Sequence, residues 1–332
     1  MSANEEGEKS VVFIDEVQYL DSPSNFLKLI YDEYREKVKL VASGSSAFYI
    51  DSKFNDSLAG RKRVFRMHTC SFGEHLLLGG KDELYAEYSR IAATPNALSK
   101  ALPLLEAELR SYMRFGGYPA VVTERDEREK ALILAELRDS FLKRDVVEAG
   151  VQNADSFYRL FRLLAAQSGS LMNTNELAKM LRMKNDTVQR YIDVMNKCCH
   201  IGIVRPFFRN IGKELTKMPK LYVLDSGMRR SLLGTLQTEI SPIEEGAVWE
   251  GVIYRALLER HDMDELNFWR TTAGNEVDFV LPHAAQPFAV EVKHSLGAAR
   301  ASKYATFIAS YPDIPLRFIE GFPLSEKTVC YL

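Results

Sequence analysis

Asp278, Glu291 and Lys293 are the residues whose types and spacing could most directly do chemistry. Glu276-Val277-Asp278-Phe279-Val280-Leu281 reads as a strand, with its acids on one face and Val277, Phe279 and Leu281 on the other. After a turn, Phe288-Ala289-Val290-Glu291-Val292-Lys293 reads as a further strand on which Glu291 and Lys293, two apart, share a face. Adjacent strands that bring an Asp, a Glu and a Lys together meet the needs of phosphodiester hydrolysis. The carboxylates of Asp278 and Glu291 would bind Mg2+, which polarises the phosphate and lowers the pKa of a bound water, while Lys293 stabilises charge or orients the nucleophile. A helix beginning at Trp249 could supply a fourth member, Glu250. His294 would face away from Lys293 and is read as a packing or surface histidine.

A second chemical signal lies near the N-terminus. Val11-Val12-Phe13-Ile14 suits a parallel strand covered on both faces, and it ends in Asp15-Glu16. There Asp15 could hold a magnesium ion through its water shell, and Glu16 could orient a water for attack on a γ-phosphate. A helix over about 24–35 follows, with Phe26, Leu27, Ile30 and Tyr34 on one face, then a second buried strand, Leu40-Val41-Ala42, running into small hydroxyl residues. Ser45 at that strand tip could sense phosphate, and Arg61 could reach a phosphate of the same or a neighbouring subunit. Taken singly, Asp15 and Glu16 are equally an ordinary strand end.

The order of these segments resembles the Walker B, sensor and arginine segments of AAA+ ATPases. The closest likeness is to the archaeal-type group in which the arginine has a Leu-Ala-Gly-Arg context, here Leu58 to Arg61, followed by Ser71-Phe72-Gly73-Glu74. Phe115-Gly116-Gly117-Tyr118-Pro119 and Leu142-Lys143-Arg144-Asp145-Val146 also look like that group and are read as lid and linker, with structural roles preferred. The resemblance implies ATP for the full-length parent. A phosphate cradle needs G-x-x-x-x-G-K-[ST], however, and no such segment occurs; Gly79-Gly80-Lys81 lacks the upstream glycine and runs into Asp82. The expectation is a truncated gene product, or one made without its N-terminal strands, that does not hydrolyse ATP by itself.

Glu250, Asp278, Glu291 and Lys293 in turn resemble the motif of PD-(D/E)XK nucleases. Their context, FWRTTAGNEVDFVL and then AVEVKHS, looks like the domain of unknown function attached to those ATPases. Metal-dependent cleavage, metal or nucleic-acid binding without turnover, and a structural role all stay open on this reading.

Between these ends the pattern is helical from about 71 to 167. Tyr85, Tyr88 and Ile91, and then the stretch 131–144, show three-and-four spacing. Two short helices follow over 175–181 and 186–197, the second burying Val188, Tyr191, Ile192 and Met195, with Asn185 or Asp186 as its N-cap. Extended runs at 201–209 and 221–225 look like the strands of a wing. The reading is a winged helix-turn-helix that places Gln189, Arg190 and Lys197 at DNA and sets Arg205, Arg209, Lys213, Lys217 and Lys220 on phosphates. The alternative is a fold that mediates protein contacts, with the basic run a solvated loop.

The whole chain sets the frame for these sites. Its 332 residues, 46% hydrophobic and 27% charged, suit two or three folded domains, and a net charge of −2 offers no whole-chain field for nucleic acid. Cys70, Cys198, Cys199 and Cys330 form no C-x-x-C pair and are expected to be reduced. The N-terminus is unlike a signal peptide and no apolar run matches a bilayer, so the expected setting is cytoplasmic, away from membranes. Expected partners are DNA, another protein or a second copy. The expected fold is α/β in four segments: half of an AAA+ P-loop core over 1–70, a helical lid and linker over 71–165, the winged helix-turn-helix over 166–238, and a PD-(D/E)XK-like α/β domain with a mixed sheet over 239–332.

Overall fold

A computed structural model describes residues 9–44, 58–94, 97–148, 151, 153–208, 217–295, 297 and 301–332. The N-terminal apolar run forms β1 (Ser10–Ile14), joined through α1 (Pro23–Tyr34) to β2 (Val38–Ala42). The two strands pair in parallel, with Ser10 opposite Val38 and Ile14 opposite Ala42. The strand expected to be covered on both faces is open to solvent: Phe13 is 76% exposed, and Val11 and Val12 are exposed beside it. Among the described residues only β2 pairs with β1, and the small core below them, Val17 and Leu58 with Ile14, Leu20 and Leu27, reaches only the end of the strand.

A helical segment follows, comprising α2 (Phe72–Leu78), α3 (Asp82–Ala93), α4 (Leu102–Phe115), α5 (Pro119–Thr123) and α6 (Glu127–Glu148). The Ser-Phe-Gly-Glu motif has a local reason. Ser71 caps α2 by accepting from the Glu74 amide at 3.3 Å, and the Glu74 carboxylate accepts from the Ser71 amide at 2.8 Å, so two otherwise orphaned donors are satisfied reciprocally. Glu108 of α4 ties this end of the segment together, lying 2.8 Å from Lys81 Nζ and 3.5 Å from His75 Nε2. The hydrogen bond from His75, with the Lys81 ammonium, holds the Glu108 carboxyl down to about 2. A depressed carboxylate pKa means a contribution present at neutral pH and lost on acidification. Glu108→Gln is therefore expected to destabilise by about 1 kcal/mol near neutrality, a figure discounted because the group is partly solvated. In urea melts the gap from wild type should narrow as pH falls below the ordinary glutamate range; a gap independent of pH would refute the assignment.

Next come α7 (Ala154–Ala166), α8 (Thr174–Leu181) and α9 (Asn185–Lys197). As its spacing predicts, α9 buries Val188, Tyr191, Ile192 and Met195, and it adds Val194. They pack with Phe157, Leu160, Phe161 and Leu177 of the two preceding helices. The expected cap is one residue off. Lys184 holds the N-cap position with no side-chain bond, and Asn185 already lies inside the helix.

β3 (Ile201–Pro206) and β4 (Lys220–Val223) pair antiparallel, Ile201 opposite Val223, and β4 leads into α10 (Ser226–Leu233) and α11 (Pro242–Leu257). The C-terminal segment adds β5 (Asn267–Arg270), β6 (Glu276–Leu281), β7 (Phe288–Ser295), α12 (Ala305–Ser310), β8 (Leu316–Phe322) and α13 (Glu326–Val329). The expected boundary between 238 and 239 does not divide the sheet. β3 runs parallel to β5 through Arg205–Asn267 and Pro206–Phe268, giving one mixed six-stranded sheet in the order β4-β3-β5-β6-β7-β8. The chain is thus α/β, as its pattern of strands and helices implies.

α11 packs on β7 and carries the fully buried Trp249 into the largest core, among Phe279, Leu281, Val290, Val292 and Phe322. Opposite that core Val277 and Val280 join Trp269, Ala289, Tyr304 and Phe307. Val277 was expected on the side of Phe279 and Leu281. A shift in the β5–β6 register between Asn267 and Trp269 breaks the alternation and puts it on the other.

Candidate functional site

The strand pair β6–β7 places Asp278 and Glu291 side by side in the sheet, both nearly fully buried. Asp278 Oδ2 accepts from the Val292 amide at 2.9 Å, so the backbone of one strand fixes the acid of the other. Glu291 Oε1 accepts from the Tyr304 hydroxyl at 2.6 Å and from Lys293 Nζ, which also reaches the Val292 carbonyl at 3.2 Å. Glu291 Oε2 is buried and has no hydrogen-bond partner among the described residues. Burial, reinforced by the Asp278 charge, pushes the Glu291 carboxyl upward.

Glu250 joins from α11. It lies in the middle of that helix, which starts at Pro242 behind a Ser241–Glu244 capping box and not at Trp249 as the sequence suggested. Its Oε1 accepts from the Tyr222 hydroxyl at 2.5 Å and lies 3.3 Å from Lys220 Nζ. Burial first, and then the Asp278 charge, raise the Glu250 carboxyl to about 7 against the opposing pull of Lys220.

Lys220 is the largest departure from the sequence reading. Expected on a DNA phosphate, it is 2% exposed, at the start of β4. Its ammonium lies 2.5 Å from Glu276, 3.3 Å from Glu250 and 3.5 Å from Asp278. Those three carboxylates, with the nearby acids, outweigh the cost of burying the charge and raise its pKa. Glu276 had no role assigned beforehand; Arg270 also holds it, at 2.9 Å. The signal available was the alternation in Lys220-Leu221-Tyr222-Val223, which puts the lysine on the face of a tyrosine that is itself wholly buried. Lys293 and Glu276 keep about a quarter of their side chains exposed, so the cluster opens to solvent on that side.

The other expected residues are scattered. Gln189, Arg190 and Lys197 are exposed on α9, Arg205 on β3, and Lys217 is exposed ahead of β4. Arg209 and Lys213 lie outside the described residues, as does Ser45. At the N-terminal strands, Asp15 accepts from the Ser43 hydroxyl at the tip of β2 and from the Glu16 amide at 3.0 Å. Glu16 takes a left-handed φ of 51° and accepts from Gln18 at 2.5 Å. Arg61 pairs with Asp32 of α1 at 2.8 Å, and His294 pairs with Glu245 at 3.2 Å against the Phe322 ring, as a packing histidine would. None of the four cysteines is disulfide-bonded.

Asp278 and Glu291 are the carboxylates that would take a divalent cation here. Asp278 and Glu291, with the unpartnered oxygen of Glu291, provide the one or two carboxylates that Mg2+ ordinarily takes beside its waters. Among the described residues no three His, Cys, Asp or Glu side chains form a metal-binding group, and an ammonium stands among Glu250, Glu276 and Asp278.

Three segments of the chain match family models. Residues 1–76 match a model described as an AAA domain. The N-terminal segment is thus similar to AAA domains. Residues 106–239 match the domain of unknown function DUF8612, and residues 245–327 match the domain of unknown function DUF4143. Together these support an AAA-like ATPase family with an attached domain of unknown function. An uncharacterised protein of Mycobacterium tuberculosis is 32% identical over 222 residues, 64% of this chain and 50% of its own length. Uncharacterised proteins of Haemophilus influenzae and Methanocaldococcus jannaschii are 23% identical over 298 residues and 24% over 256. Those alignments cover 86% and 74% of this chain, and 66% and 53% of the relatives. The chain thus spans about half the length of the mycobacterial relative. No solved structure matches it. Among the described residues no helix is long and apolar enough to cross a membrane.

Proposed function

We propose that this chain is the DNA-engaging arm of an AAA-like ATPase, and that its C-terminal cluster is a Mg2+-dependent phosphodiester-cleaving site. The observation that carries this reading is Glu291. One of its oxygens is held by Lys293 and Tyr304 while the other, buried beside Asp278, has no partner. A buried carboxylate oxygen left bare is costly, and a cation there removes the cost. Asp278 and Glu291 would hold that cation, which polarises the phosphate and makes a bound water acidic. Lys293, partly exposed beside Glu291, would place positive charge at the scissile phosphate. Val292 and Tyr304 fix the two acids, so little reorganisation is needed when substrate arrives. The exposed Gln189, Arg190 and Lys197 of α9, with Arg205 and Lys217, would carry DNA in the manner of a winged helix. In the whole ATPase, Asp15 and Glu16 would serve ATP and its Mg2+.

The test is cleavage of labelled single- and double-stranded DNA in Mg2+ or Mn2+ by wild type and Asp278→Asn. Cleavage lost in the variant supports the assignment; cleavage by neither protein, with no Mn2+ bound by wild type, sinks it. A second reading, a module that binds a partner without turnover, draws on Lys220, whose ammonium already neutralises part of the cluster. Mn2+ binding and DNA binding without cleavage would favour that reading.

A further inference from the structure

An ammonium has three N–H donors, and around Lys220 there are three carboxylates to receive them. Glu276 and Asp278 come from β6, Glu250 from α11 and the lysine from β4, so acids from two separate elements meet on one nitrogen of a third. The lysine is 2% exposed, its ammonium lies near the Phe268 ring, and the Tyr222 hydroxyl bonds the same Glu250 oxygen. Such a meeting of acids from different elements is the arrangement that holds a hard cation through oxygen ligands. Here the position is filled by the protein itself, while the neighbouring Glu291 retains a bare oxygen a short way along the sheet.

Resting on the reading of Asp278 and Glu291 as a metal site, we propose that Lys220 is a built-in cation of that site. Its ammonium occupies the place a second divalent ion would take in a paired-metal centre, so the cluster accepts one divalent cation and not two. Lys220 is thus a positioning residue. It draws Glu250, Glu276 and Asp278 together, while the Val292 amide holds the other oxygen of Asp278. Remove the ammonium and the three carboxylates, after moving inward by about an ångström, form a second cage for Mg2+ or Mn2+.

The experiment is Mn2+ titration of the full chain by calorimetry, with wild type and Lys220→Met, a residue of similar length without charge. Thermal melts with and without millimolar Mn2+ accompany it. The expected results are one Mn2+ for wild type and two for the variant. The variant should also melt lower than wild type without Mn2+ and recover most of that loss with it, whereas wild type responds much less. A single Mn2+ in both proteins, or a melting loss that Mn2+ does not recover, overturns the proposal. Wild type binding none while Lys220→Met binds one would reject the metal site at Asp278 and Glu291 yet uphold Lys220 as the resident cation. Should Lys220→Met not fold without metal, folding in Mn2+ supports the proposal. Failure of both Lys220→Met and Lys220→Gln to fold in Mn2+ overturns it.

Discussion

Lys293→Ala is expected to slow DNA cleavage by about 10²–10³-fold while leaving Mn2+ affinity little changed, the loss that follows from removing one preorganised charge at a reacting phosphate. The two effects separate because of how Glu291 is held. Its Oε1 keeps the Tyr304 hydroxyl at 2.6 Å when the lysine goes, and its Oε2 was never engaged by the lysine. Asp278 keeps its bond from the Val292 amide. The carboxylates that would take the cation therefore stay in place, and only the positive charge beside them is lost. Lys293→Arg should recover part of the rate. Asp278→Asn should behave differently, losing Mn2+ affinity and cleavage together. Calorimetry beside a cleavage assay reads both quantities, and a Lys293→Ala protein that cleaves at the wild-type rate would remove Lys293 from the chemistry.

Asp225→Ala should be the most damaging single change outside the cluster, costing about 2–4 kcal/mol from a lost helix cap and a stranded buried amide. Asp225 caps α10, its Oδ1 accepting from the Met228 amide at 2.8 Å. Its Oδ2 accepts from the Gly117 amide at 2.8 Å, so one buried carboxylate joins the end of β4 to the glycine turn after α4. Burial raises its pKa, and the two amides oppose that rise. The turn is built for this contact. Gly116 takes a φ of +75°, and a Cβ there would meet Asp225 Oδ1 at 2.2 Å, so Gly116→Ala should also destabilise. Urea melts measure both. A cost for Asp225→Ala below about 1 kcal/mol would mean that the Gly117 amide finds another acceptor.

The elements were legible where a single period dominates. β6 spans its expected residues, though one of its side chains changes face, and α9 buries its expected face because three-and-four spacing selects one geometry there. The glycine-proline turn and the Ser71–Glu74 segment were visible as motifs; the cap's partners are local, whereas the turn's partner, Asp225, is far away in sequence. What could not be read depended on distance in sequence. Lys220 follows a basic run and looks like part of it; only the pairing of β3 with β5 brings it to Glu276 and Asp278 and reverses its surroundings from water to carboxylate. Val277 changed sides for a similar reason, since a register shift leaves no trace in a six-residue pattern. The exposure of β1 reflects what else lies beside it, which its own apolar residues do not encode.

The seam between β3 and β5 also sets an order on the chain's maturation. During synthesis β3 and β4 emerge well before β5, and the stretch from Pro206 to Asn267 takes several seconds at about 5–20 residues per second. Over that interval β3 has β4 on one side and an open hydrogen-bonding edge on the other, the kind of edge that recruits strands from neighbouring nascent chains. Lys220 is meanwhile a bare cation on that hairpin, and it resists packing against apolar surface until its carboxylates arrive. α11 is made within the same interval and can form by itself behind its capping box, bringing Glu250 as the first of them. The same lysine that neutralises the finished cluster would thus act earlier as a gatekeeper, discouraging the unfinished sheet from pairing with the wrong chain.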